Sequence, residues 1–389
     1  MELLIYLILF LLVLIVSSIT NKLLPFLPLP LVQILLGIVI GLFLPNTNFH
    51  LNTELFLALV IGPLLFRESE EADITAILKH WRIIVYLIFP VIFISTLSLG
   101  GLAHLLWFSL PLAACLAVGA ALGPTDLVAF ASLSERFSFP KRVSNILKGE
   151  GLLNDASGLV AFQVALTAWT TGAFSLGQAS SSLIFSILGG FLIGFVTAMT
   201  NRFLHSFLLS VRATDIASEL LLELSLPLVT FFLAEEVHVS GIIAVVVAGI
   251  LKASRFKKIT LLEAQVDTVT ETVWHTVNFM LNGSVFVILG MELEMIAEPI
   301  LTNSIYNPIL LLVSLIALTF VLFAIRFVMI YGYYAYRTRR LKKKLNKYMK
   351  DMLLLTFSGV KGTVSIATIL LIPSNLEQEY PILLFLVAG

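Results

Sequence analysis

Charge is what this sequence has least of. Asp, Glu, Lys and Arg make up 12% of the 389 residues, about half of what a soluble domain uses to cover its surface. The formal net charge is zero, so no basic surface argues for nucleic acid, and no nucleic-acid partner is expected. Cysteine is scarcer still. Cys115 stands alone in an apolar stretch, which excludes a disulfide framework within the chain and leaves a small packing residue. No ATP-binding motif is present either. What the chain has instead is 59% hydrophobic residues, at a mean hydropathy of +1.02. They recur in segments of roughly 20 along the whole length, the pattern of an all-α polytopic membrane protein.

The segments predict about 13 transmembrane helices, near 3–19, 31–44, 53–66, 83–103, 110–133, 143–170, 183–200, 219–234, 239–251, 275–293, 309–336, 353–372 and 382 onward. The first has no basic leader and no small-residue cleavage site, so it is expected to be a retained helix rather than a signal peptide. The last, 382–389, is too short to cross and is expected to be a thirteenth helix truncated by the end of the sequence.

Basic residues follow this division. Of the 24 Lys and Arg, 22 fall in loops after odd-numbered segments, from Lys22 to the run between Arg337 and Lys350. The loops after even-numbered segments have none. The positive-inside rule then predicts an outside N-terminus and cytoplasmic basic loops. The two remaining cations, Arg326 and Lys361, lie inside apolar segments and need partners there. Snorkelling is an alternative for Arg326, disfavoured by the about ten residues of helix between it and the cytoplasmic end.

Two acids are equally out of place. Asp126 in ALGPTDLVAF and Asp155 in GLLNDASGLVAF each cost several kcal/mol in a bilayer unless paired, protonated or bound to something, which marks a functional site. Gly123-Pro124-Thr125-Asp126 predicts a break in the fifth segment, because proline removes a helical hydrogen bond and glycine relaxes the backbone. Gly359-Val360-Lys361-Gly362 predicts another in the twelfth. Unwound backbone at membrane depth is tolerated only inside protein or along a wet cavity. Asp126 and Lys361 have the signs that offset the exposed half-helix dipoles. Segments five and twelve run in opposite directions, as an inverted repeat of segments 1–6 and 8–13 would require.

Around Asp155, Gly151 and Gly158 share its helical face and leave it bare of side chains, an arrangement that also serves close helix packing. Asn154 and Thr125 add neutral oxygens. Carboxylate, amide, hydroxyl and carbonyl oxygens are suitable hard ligands for a small alkali cation. Glu150 lies one turn before Asn154 and is expected to pair with Lys361 rather than to bind an ion. At about 1.5 Å per residue, Asp126, Asp155, Arg326 and Lys361 come out at a similar depth, roughly 10–15 Å from the cytoplasmic ends of their helices.

The motifs PTD at 124–126, EGLLNDASGLVAF at 150–162, AIRFVMIY at 324–331 and SGVKGTVSIA at 358–367 resemble those of the monovalent cation–proton antiporters, specifically the NhaP-type sodium/proton antiporters. The resemblance implies that Asp155 carries either the ion or the proton, and that Thr125 and Asp126 lie where broken helices cross. It further implies that Arg326 orients the Asn154–Asp155 pair, that Lys361 pairs with Glu150, and that Asn before Asp goes with electroneutral one-for-one exchange. The transported Na+ would be held by Asp155, Asp126, Thr125 and Asn154, with no resident cofactor. A homodimer is also implied. Three positions depart from the pattern: Lys361 where arginine is usual, Gly151 where serine is common, and Arg67 after Phe66 where an acid often stands, with Glu68, Glu70 and Glu71 beyond.

The expected mechanism is alternating access. Burial favours the protonated form of Asp155 and Arg326 the ionised form, so the acid should titrate near the working pH of the cell. Core transport helices are expected at about 83–170 and 309–389, and scaffold or dimer helices at about 1–66 and 183–293. The expected location is the plasma membrane of a prokaryote. K+/H+ exchange on the same site is the near alternative, with Li+ a further candidate ion; a cation channel and a fluxless sensor are the distant ones. His80 and His205 fall on the cytoplasmic side, and the basic run 337–350 could touch anionic lipid.

Overall fold

The computed structural model describes residues 2–24, 26–43, 53–125, 139–171, 176–211, 215–253, 261–302, 308–340, 342, 345–358, 372 and 386. Among these residues regular structure is helical throughout. In chain order the helices are α1 (Glu2–Leu23), α2 (Leu29–Phe43), α3 (53–70), α4 (Ile74–Leu78), α5 (Trp81–Leu106), α6 (Leu112–Ala121), α7 (Lys141–Thr171) and α8 (Leu176–Ser210). They continue as α9 (Ile216–Glu236), α10 (Gly241–Ala253), α11 (Leu261–Thr302), α12 (Pro308–Arg340) and α13 (Met349–Phe357). Among the described residues five stretches are long and apolar enough to cross a membrane: Trp81–Leu106, Ile184–Ser210, Ile216–Glu236, Thr268–Leu293 and Ile309–Arg340. Ile8–Leu23, Leu29–Phe43, Leu112–Ala121 and Gly241–Ala253 are shorter apolar helices.

Two helices contain a feature the sequence did not announce. Leu57–Ile61 in α3 and Leu87–Val91 in α5 are π-helical turns. Pro90 lies in the second, and the carbonyl four residues before Pro63 belongs to Leu59 in the first. A proline ring clashes with that carbonyl in a regular α-helix, and a wider turn relieves the clash.

The chain divides into two compact units. The first comprises Met1–Phe49, Ala76–Phe174 and Val285–Gly389. Here α5 and α6 approach backbone to backbone: a Cβ at Gly119 would strike the Thr96 carbonyl, and one at Gly100 would strike Leu116. One apolar cluster gathers Leu99, Ala114, Ala117, Phe162, Leu318 and Leu322; a second gathers Ile83, Leu87, Ile146, Ile330, Met352 and Leu355. On α12, Arg326 falls one turn from Leu322 and one from Ile330. On α7, Glu150 follows Ile146 by one turn. Both charges therefore lie in a layer between two apolar clusters, which sets the conditions for the site below.

The second unit comprises His50–Thr75 and Ser175–Ser284. The bare position at Gly194 on α8 lets the Ala244 carbonyl of α10 come close. Asp215 caps α9 by accepting from the Ser218 backbone N–H at 2.8 Å and from the Ser218 hydroxyl. Those hydrogen bonds hold its exposed carboxyl below the usual aspartate range. Lys252, placed by the sequence reading in a basic loop, is instead in the last turn of α10 with its side chain 8% exposed. It reaches Glu70 at 3.3 Å and Glu223 at 2.9 Å, and the Trp274 indole N–H donates to Glu223 at 3.0 Å. Arg67 binds Glu70 and Glu71 of its own helix end at 2.9 and 2.7 Å.

Candidate functional site

Helix α6 ends at Ala121, and Gly123, Pro124 and Thr125 continue without helical structure, where Gly-Pro was expected to break it. The Pro124 ring rests on Gly158 of α7, at a point where a Cβ would overlap the ring. The bare face that α7 presents at this point thus seats the chain break itself. Gly158→Ala is expected to cost about 1–3 kcal/mol through overpacking and to lower the unfolding temperature in detergent. Gly101→Ala is the control, since a Cβ there meets nothing within 4 Å and its variant should match the wild type.

Seating Pro124 this way brings Thr125 into a buried polar chain. The Thr125 hydroxyl donates to Glu150 Oε1 at 3.2 Å and accepts from Asn154 Nδ2 at 2.8 Å. Arg326 grips Glu150 with both arms of its guanidinium, Nη1 to Oε1 at 2.7 Å and Nη2 to Oε2 at 2.8 Å. Its Nε donates to the Leu355 carbonyl at 2.9 Å. Helix α13 ends at Phe357, so that carbonyl is one of the last four, which have no partner within the helix. The guanidinium therefore neutralises a carboxylate and also meets the negative end of a helix dipole. Glu150 is 1% exposed and Arg326 4%, so neither charge has water to turn to.

The chemistry fixes which way the amide of Asn154 faces. An ionised Glu150 only accepts, so the Thr125 proton points to it and the Thr125 oxygen must accept from Asn154. The Asn154 NH2 group is then committed, and its Oδ1 faces away from Thr125. That oxygen is fully buried and accepts no hydrogen bond among the described residues. An unpaired buried acceptor is costly unless something electropositive visits it. The next residue along α7 is Asp155.

Four of the predicted site residues, Thr125, Glu150, Asn154 and Arg326, are therefore brought together. Asp126 and Lys361 lie outside the described residues. Asp155 is described in its backbone, within α7, and not in its side chain. Glu150 has an ion-pair partner that was not assigned to it in sequence, Arg326; Lys361, which was expected to pair with it, is one of those outside the described residues. A planar guanidinium satisfies both carboxylate oxygens at once, and an ammonium does not. Among the described residues, Arg326 reaches Asn154 through two intermediates, Glu150 and Thr125.

The contacts of two groups were missed in sequence, the Leu355 carbonyl and Arg142. The Leu355 carbonyl carries no signal, because any residue near the end of α13 offers the same group. Arg142, taken as a loop charge, reaches Asp351 at 3.6 Å, donates to the Tyr334 hydroxyl at 3.3 Å and lies over the Tyr348 ring at 5.0 Å. Asp351 in the first turn of α13, where an acid suits the helix dipole, was the available hint.

The family of transmembrane sodium/hydrogen exchangers matches residues 7–388. This chain belongs to that family. It is 36% identical over 382 residues to the sodium, potassium, lithium and rubidium/H(+) antiporter of Bacillus subtilis, covering 96% of this chain and 57% of that protein. The antiporter of the same description from Bacillus pumilus is 35% identical over 380 residues, with the same coverage. The chain thus spans 57% of the length of these two Bacillus relatives. The uncharacterized Na(+)/H(+) exchanger YjcE of Escherichia coli is 31% identical over 388 residues, covering 96% of this chain and 70% of that one. In fold, the chain matches the sodium proton antiporter MjNhaP1 from Methanocaldococcus jannaschii at a TM-score of 0.70 and 19% identity, over 100% of this chain and 94% of the other.

Proposed function

We propose that this sodium/hydrogen exchanger chain is the membrane part of a secondary transporter that exchanges Na+ for H+, one for one, by alternating access. The observation that carries the reading is the buried chain Arg326–Glu150–Thr125–Asn154. It ties up Glu150 in an ion pair and leaves the Asn154 Oδ1, next in sequence to Asp155, without a hydrogen-bond partner among the described residues. Of the two acids on this stretch of α7, Asp155 is then the one available to lose a proton. Deprotonated, it binds Na+ together with Asn154 Oδ1, Thr125 and Asp126; protonated, it releases the ion. Hard oxygen donors of this kind suit an alkali cation carried as cargo.

Glu150 and Arg326 have a positioning role: they hold Thr125 and Asn154 in one orientation, whichever form Asp155 is in. Asp126 and Lys361 offset the ends of the broken helices. The reading includes about thirteen spans in two inverted repeats and core helices at 83–170 and 309–389 moving against scaffold helices at 1–66 and 183–293. It also includes a homodimer in a prokaryotic plasma membrane with the N-terminus outside. The bacterial relatives and the charge distribution between loops support it.

A second reading has its own support. The two Bacillus relatives are described as acting on sodium, potassium, lithium and rubidium, so K+/H+ exchange on the same oxygens is the alternative. Dye dequenching in vesicles, with Na+, Li+, K+ and Rb+ added separately, tests both. A response confined to Na+ and Li+ supports the first reading, and comparable responses to K+ and Rb+ support the second. Current without proton movement would exclude both in favour of a channel.

A further inference from the structure

At the end of the first unit's helices lies a half-open cleft of about 660 Å³, lined by the segment Leu78–Ile83 and by the last turns of α12. Lys79, Arg82, Arg337 and Arg340 bring four cations to it, and no Asp or Glu is among the described lining residues. Its aromatic members are placed as at a membrane–water interface. Trp81 is 53% exposed and Tyr336 69%, at the ends of the two apolar stretches Trp81–Leu106 and Ile309–Arg340. Arg82 stacks on the Trp81 ring at 5.6 Å. Deeper in, Tyr86 packs on Tyr333 at 5.1 Å and donates to the Met329 carbonyl at 3.2 Å, which ties α5 to α12 below the cleft.

The positive field in this region registers on a neighbour. Burial, followed by the charges of Arg142, Arg337 and Lys79, lowers the pKa of His80, which also lines the cleft. Topology alone explains basic residues on this side of the membrane; it does not explain the convergence of four of them on one concave site between two helices. Convergence of that kind suits an anion carrying several oxygens, and basic pockets between transmembrane helices at the cytoplasmic face accommodate lipid headgroups.

We propose that this cleft binds the phosphate of an anionic phospholipid headgroup, with Arg82, Arg337 and Arg340 on the phosphate and Trp81 and Tyr336 at the glycerol level. Lipid is favoured over a soluble phosphate compound because the cleft opens where the apolar helix faces begin, so the acyl chains would continue along surfaces that are already apolar. Occupancy would clamp α5 against α12, seven residues along α12 from Arg326.

Quenching of Trp81 by brominated lipids tests this on the full chain in vesicles. The signal is isolated by subtracting a Trp81→Phe variant, and brominated phosphatidylglycerol is compared with brominated phosphatidylcholine. The expected result is preferential quenching by the anionic lipid, with the preference falling about fivefold for each of Arg82→Gln, Arg337→Gln and Arg340→Gln. Lys347→Gln and Lys350→Gln, which remove equal charge outside the cleft, should leave it unchanged. Equal quenching by the two lipids, or an equal loss in the Lys347 and Lys350 variants, overturns the proposal. Displacement of the anionic lipid by millimolar inorganic phosphate would assign the cleft to a soluble anion and overturn the lipid reading. None of these readouts depends on transport, so the proposal stands or falls separately from the exchange reaction.

Discussion

Arg326→Leu is expected to lose about 3–5 kcal/mol of stability, the cost of leaving a buried carboxylate without its counter-ion. Glu150 is 1% exposed, and its remaining described partner would be the Thr125 hydroxyl, one neutral donor against a full charge. The Leu355 carbonyl at the end of α13 would lose its donor in the same step. The double variant Glu150→Gln/Arg326→Leu removes both charges and should recover a large part of the loss, because much of the penalty belongs to the orphaned charge rather than to the pair. Thermal unfolding in detergent, followed by intrinsic fluorescence, compares the two. A single variant as stable as the wild type, or a double variant worse than the single, would contradict the buried pair. The double variant should still exchange poorly, since Thr125 and Asn154 would no longer be held in one orientation.

Asp155→Asn is expected to abolish exchange while leaving the fold intact. Asparagine matches aspartate in size, so α7 should pack as before, but it neither ionises nor carries a proton to trade. Three of the proposed ligands remain, Asn154 Oδ1, Thr125 and Asp126, and with one carboxylate fewer they should bind Na+ weakly. Adding NaCl to weakly buffered purified protein should release a proton from the wild type and none from the variant. Proton release from Asp155→Asn equal to that of the wild type would mean that another acid titrates, with Asp126 the first to examine.

Much of this arrangement was legible in the sequence, for physical reasons. A bilayer has no water to satisfy stray backbone groups, so apolar runs of roughly 20 residues have little choice but helix, and Gly123-Pro124 has little choice but to end one. The shared depth expected of Asp126, Asp155, Arg326 and Lys361 put Arg326 at the level of the motifs that carry Thr125 and Asn154, while its meeting with Glu150 was not foreseen. Depth is a one-dimensional coordinate, however, and it cannot say which side chains meet. Arg326 holds Glu150 because its planar fork meets both oxygens, a property of three-dimensional approach. Lys252 was misplaced for a related reason. Its position directly after an apolar run looks like a loop, and only the packing of α10 against Glu70 and Glu223 shows otherwise. The π-helical turns at Leu57–Ile61 and Leu87–Val91 shift the apolar period over a single turn, too short a stretch to stand out from the surrounding pattern.

The central claim is that one carboxylate, Asp155, carries a cation or a proton and never both. Its most direct test is sodium-driven proton movement in sealed vesicles across a pH series, with wild type and Asp155→Asn reconstituted at equal density. The account predicts that a Na+ pulse drives protons the opposite way through the wild type, with the response fading at low pH as protons outcompete the cation, and that Asp155→Asn gives no response at any pH. Exchange by Asp155→Asn at the wild-type rate would contradict it.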